Sequence, residues 1–199
     1  MHRRTALVGA LLAASALAGC ADGGLTAGAA AVLDGRPIAV GAVQARVAEL
    51  RHAAGGASAD AEQQPDGPAR RAVTDLVLDA VVARAVADRG LAVGPPEVAA
   101  ARAADEQRYG GAAALARALA AGGVPGSGID ASYRRRLGIR VLAAAAGQDA
   151  GTPEGDATVR LALAGTAAAL HLRINPRYGT WDPERVALLP ETPPWLAAP

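Results

Sequence analysis

Lysine and phenylalanine are missing from this chain, cysteine occurs once, and only five of its 199 residues are aromatic. Each scarcity excludes something. A lone cysteine, Cys20, cannot form an internal disulfide and offers no Cys-rich metal cluster. The absence of Phe leaves Leu, Val, Ile and Ala to build the interior, a set that favours closely packed helices. A formal net charge of +1 gives no bulk attraction to nucleic acid, so no nucleic-acid partner is expected. All twenty basic residues are arginine, a uniformity that reads as compositional bias more than as chemistry.

What is present begins at the N-terminus. Arg3 and Arg4 are followed by thirteen uncharged, mostly apolar residues, Ala6 to Ala18. That run is too short for a membrane-spanning helix, which needs about 20 residues, and it suits the hydrophobic region of a signal peptide. Leu17-Ala18-Gly19-Cys20 then resembles the bacterial lipobox. A buried free thiol, a redox thiol and a secretory signal without lipid are the competing readings of Cys20. The lipobox resemblance implies removal of residues 1–19 and a diacylglyceryl thioether on Cys20. Two acyl chains anchor a protein far more firmly than one, at about 0.8 kcal/mol per buried CH₂. Residues 20–29 would then be the lipidated cysteine and a Gly-rich tether, with the protein held on the extracytoplasmic face of the cell membrane.

The body of the chain reads as mainly α. Two short apolar runs flank Asp34-Gly35, a strong hairpin signal, and Pro37 confines the second run to an edge. Helices are expected over 41–54, 69–89, from about Pro96, over 111–121, after Asp130 as a cap, and from Thr152 to about 169. Residues 55–68 read as a loop. The second helix is the longest, is apolar around most of its circumference, and should be central. Residues 170–175, "LHLRIN", alternate apolar and polar and predict a half-buried strand. A strand needs a partner, so the two ends are expected to meet in a small antiparallel sheet that closes residues 30–189 into one domain. Residues 190–199, with Pro193-Pro194 and Trp195, read as an extended tail.

The segments "AAVLDGRPIAVGAVQARVAEL" and "HLRINPRYGTWDPERVALL", with the helices between them, resemble the SurA N-terminal chaperone domain family, most closely its lipoprotein versions in high-GC Gram-positive bacteria. The likeness is a diffuse pattern without a catalytic signature. It implies a helical SurA N-terminal-like fold and a holdase that binds unfolded or newly secreted polypeptides in a groove, as SurA- and PrsA-type proteins do, with no cofactor or small-molecule substrate. Relatives often carry a parvulin-type prolyl isomerase domain before the closing segment. Here that interval holds only the helix near 153–169, so isomerase activity is not expected. A surface lipoprotein that docks one folded partner is the alternative.

Other chemistry finds little footing. His2 leaves with the signal peptide, and His52 and His171 lack metal-ligand spacing. Ser15, Ser58, Ser127 and Ser132 have no nucleophile-elbow context. No catalytic residue is assigned, and the peptide-binding residues stay unassigned. Asp75 and Asp79, four apart on one helix face, and the run Arg134 to Arg136 with Arg140, read as solvated surface. Tyr178 and Trp181 read as core contacts, with Trp181, Asp182 and Pro183 opening a short terminal helix; Trp195 is divided between such packing and a membrane or peptide contact.

Overall fold

The computed structural model describes residues 27–53 and 67–190. The expected signal peptide with Leu17, Ala18 and Gly19, the expected lipidation site Cys20, most of the expected tether, residues 55–66 of the predicted loop and Trp195 lie outside the described residues; the loop's last residue, Pro68, already opens a helix. Within them the protein is mainly helical with a small antiparallel sheet, as the residue patterns predict. The chain enters as β1 (Ala29–Leu33) and β2 (Arg36–Ala39), joined by a tight turn. Asp34 and Gly35 both take positive φ, 49° and 74°, the conformation a two-residue hairpin requires and Gly best tolerates. All five residues of β1 are buried, whereas β2, with Pro37, is an exposed edge. β1 also starts inside the predicted tether, at Ala29, and the Val40 N–H donates to the Gly28 carbonyl at 2.8 Å.

Six helices follow: α1 (Val40–Ala53), α2 (Pro68–Asp88), α3 (Pro95–Tyr109), α4 (Ala112–Ala121), α5 (Ile129–Ala145) and α6 (Pro153–Ala169). Pro opens α2, α3 and α6, where its missing N–H breaks no helical bond. At α6 the Thr152 hydroxyl caps the Gly155 N–H as predicted. At α5 the expected cap is displaced: Gly128 holds that place, and Asp130 sits in the first turn, ion-paired with Arg102 at 3.1 Å. The 3₁₀ turn Gly126–Gly128 before α5 starts the helix early, which moves Asp130 inside it.

β3 (Arg173–Ile174) pairs antiparallel with β1, giving the order β2-β1-β3, so the two ends of the described chain do meet. The strand is shorter than its alternation predicted. Leu170 ends α6 and stays buried, and His171 turns the chain at φ 48°. After a 3₁₀ turn at Pro176–Tyr178 comes a hairpin, β4 (Thr180–Asp182) and β5 (Ala187–Leu189), where a helix was predicted. Asp182 Oδ1 accepts from the Glu184 and Arg185 N–H groups, the bonds of an Asx turn as well as of a helix cap. The apolar residues beyond that turn then pair as a strand. Trp181 does pack against the core, and Tyr178 is buried in it.

Two hydrophobic clusters divide the interior. The larger joins β1, α1, α2, α6 and the C-terminal strands to the second half of α5 through Leu142 and Ala143. The smaller joins α3, α4 and the first half of α5 through Val98, Leu115 and Tyr133. α2 is central as expected, with Val73, Val77 and Val81 fully buried. Burying each valine contributes about 1.5 kcal/mol or more. α5 therefore belongs to both clusters.

Candidate functional site

α5 carries Ser132, Arg136, Arg140 and Ala144 at successive intervals of four, a single line along one helix face. Neither cluster covers that line. With Leu119 and Val124 at the end of α4, Ile139 on α5, and the 148–151 connection to α6, it lines an open groove of about 840 Å³. The lining is mostly apolar, and the guanidinium groups of Arg135, Arg136 and Arg140 reach it.

The groove rests on fixed charges. Asp79 accepts from Arg135 at 2.7 Å and from Arg46 of α1 at 3.3 Å. Asp75 pairs with Arg135 at 2.9 Å, and its backbone carbonyl accepts from the same guanidinium at 3.1 Å. The four side chains are only 15–20% exposed, so Asp75 and Asp79 are not the solvated stripe that their spacing suggested. Their charge is matched by arginines from α1 and α5, which local periodicity does not report. Burial pushes the Asp75 carboxyl above its ordinary range, helped by the nearby Asp79 charge and opposed by Arg135 and Arg46.

The arginine run divides in the same way. Arg135 is a structural ion-pair partner, not solvated surface. Arg136 donates to Asp105 at 2.9 Å and lies 4.3 Å over the Tyr133 ring. The Tyr133 hydroxyl donates to the same carboxylate at 2.7 Å. That bond, then Arg136, holds the Asp105 carboxyl below its ordinary range. Arg134, Arg136 and Arg140 are all exposed, as the run was expected to be, and of the four only Arg135 is drawn into the fold.

In the 148–151 connection that lines the groove, Asp149 Oδ1 accepts the Gly151 N–H at 2.8 Å. The Asp149 carbonyl oxygen lies where a Cβ on Gly155 would sit, so only glycine lets this connection pack onto the first turn of α6. On the other side of α5, a smaller cavity of about 360 Å³ lies between α2 and the 91–93 connection.

The remaining sequence candidates do not converge on this groove. His52 lies exposed in the last turn of α1 and His171 exposed after α6. Among the described residues no group of three or more His, Cys, Asp or Glu could hold a metal ion, and no helix is long and apolar enough to cross a membrane. Ser127 uses its N–H on Glu49 Oε2 at 3.0 Å, and Ser132 donates its hydroxyl to the Ile129 carbonyl at 2.7 Å. Local sequence pattern does not assign the groove residues. The line 132-136-140-144 was present as a signal, but which face of α5 stays uncovered depends on how α2, α3 and α4 pack around it. Compared with protein-family models, with curated proteins and with solved structures, the chain matches none.

Proposed function

We propose that this protein is a membrane-anchored extracytoplasmic lipoprotein that holds unfolded or newly secreted polypeptides, as a SurA- or PrsA-like chaperone without isomerase activity. The observation that carries the reading is the groove along α5. It is open, mostly apolar in its lining, and about 840 Å³ in volume, a surface suited to the side chains of an extended segment. The lipobox resemblance around Cys20 would keep such a weak binder concentrated where translocated chains emerge.

The test is aggregation of several unrelated unfolded clients with the purified protein. Suppression is expected, and Ala144→Trp, at an exposed position inside the groove, should reduce it severalfold while leaving the fold intact. Refolding of a client limited by prolyl isomerisation should keep its rate. No suppression, or equal suppression by Ala144→Trp, overturns the proposal. Cys20→Ala should leave the membrane fraction, and unchanged processing and membrane association would remove the lipoprotein reading.

The second reading is an adaptor for one folded partner. Leu161 favours it: 77% exposed on α6, it stands beside Gly165 and Ala162 over a shallow recess. Recovery of one stoichiometric partner at the cell surface, lost in Leu161→Asp, would support it over the chaperone. Many unrelated secreted chains would support the chaperone.

A further inference from the structure

The charges around the α5 groove are not balanced equally, and the inequality bears on what the groove selects. Arg135 is held by Asp75 and Asp79, and Arg136 by Asp105 and the Tyr133 ring. Their positive charge is answered within the fold. Arg140 lines the groove one turn further along α5, is exposed, and has no hydrogen bond or ion pair with any described residue. The single carboxylate among the lining residues, Asp149, accepts the Gly151 N–H of its own loop through Oδ1 and forms no ion pair with Arg140. The groove thus presents apolar walls, Leu119, Val124, Ile139 and Ala144, beside one cation whose partner the described fold does not supply.

Resting on the polypeptide-binding reading above, we propose that this groove selects apolar segments with an aspartate or glutamate beside their apolar residues, and that Arg140 is the recognising cation. Arginine suits the task, since its planar fork takes a carboxylate through two parallel N–H bonds. Such a pair at a groove rim adds modest affinity and more discrimination: a carboxylate is attracted, while an ammonium in the same place is repelled. Apolar burial supplies the rest, so selection is graded and an uncharged apolar segment still binds.

The experiment is fluorescence anisotropy with three peptides that share one apolar core and differ only in flanking residues, Glu, Gln or Lys. The full-length protein should bind the Glu peptide about two- to fivefold more tightly than the Gln peptide, with the Lys peptide weakest, a spread that narrows in high salt. Arg140→Glu should reverse the order, and Arg140→Gln should abolish it, with circular dichroism unchanged in both. Ala144→Trp should weaken all three peptides and keep their order. Equal affinities, a preference for the Lys peptide, or an order that survives Arg140→Glu would overturn the selection while leaving polypeptide binding standing. If none of the peptides binds and client aggregation is also unaffected, both proposals fall.

Discussion

At the scale of single residues, the two aspartates of α2 sit side by side in one ion network yet have unequal tasks. Asp79 pairs with two guanidiniums, from α1 and from α5, whereas among the described residues Asp75 pairs directly with Arg135 and feels Arg46 from further off. Asp79→Ala leaves Arg46 without its carboxylate in a part-buried seam and should destabilise by about 2–3 kcal/mol, somewhat below the cost of breaking a fully buried pair. Asp75→Asn should cost clearly less in the same urea titration, because Arg135 keeps Asp79 and the buried carboxyl loses its desolvation penalty. An equal or reversed order would contradict this division. Asp105 works the other way. Its carboxyl is held low, by Tyr133 first, so the stability it contributes is complete above the ordinary carboxylate value of about 4 and is lost as pH falls through its lowered folded value. Tyr133→Phe removes a hydrogen bond to a charged group and should cost about 1.5 kcal/mol at neutral pH. Denaturant titrations near pH 2.5 should show a smaller gap between Tyr133→Phe and the native protein.

At the scale of elements, the approach of α2 to α5 is the decisive contact. A Cβ on Gly138 would lie 2.6 Å from Val82 Cγ1 and 3.3 Å from Val86 Cγ2. Val82 is 2% exposed, and its β-branched side chain is stiff at χ1, so it gives way only at a cost. Gly138→Ala should therefore destabilise by about 1–3 kcal/mol through overpacking, even though alanine is the better helix former. Gly165→Ala on α6 is the control: its added Cβ meets nothing within 4 Å, and it should stabilise by about 0.5–1 kcal/mol. Thermal unfolding of the two variants, moving in opposite directions, checks the argument. With no Phe in the chain, helices must come this close for valine and alanine to fill the space between them.

At the scale of the whole molecule, the ends are tied across nearly the full described length. The Asn175 N–H donates to the Ala30 carbonyl at 2.9 Å, and its side-chain Nδ2 to the Ala29 carbonyl at 3.2 Å. The Asp34 N–H donates to the Leu170 carbonyl at 2.6 Å, and Arg70 Nε to the Tyr178 carbonyl at 2.9 Å. Asn175→Ala removes the Nδ2 bond and the Oδ1 acceptor of the Arg177 N–H, and should cost about 1–2 kcal/mol. Amide exchange should speed up in β1 as well as in the 173–178 segment, since strands paired across such a separation open together. Faster exchange confined to 173–178 would mean that β1 stands without its C-terminal partner.

The sequence alone determined the local grammar. Asp34-Gly35 specified a hairpin, Pro96 and Thr152 marked helix starts, apolar residues around most of its circumference made α2 central, and alternation after α6 called for a strand that the N-terminal hairpin could accept. These signals are legible because caps, turns and periodicity act within a few residues. Tertiary structure decided the rest. It turned Asp75, Asp79 and Arg135 from apparent surface into a part-buried network, since their partners arrive from helices more than thirty and fifty residues away. It folded the apolar residues after Asp182 into a hairpin in place of a helix, because an Asx turn and a helix cap share the same first bonds. It also chose which line of α5 would be left uncovered, and that choice gave Arg140 its place at the edge of the groove. Neither charge pairing nor exposure is a property of a residue by itself; both depend on what the fold brings beside it.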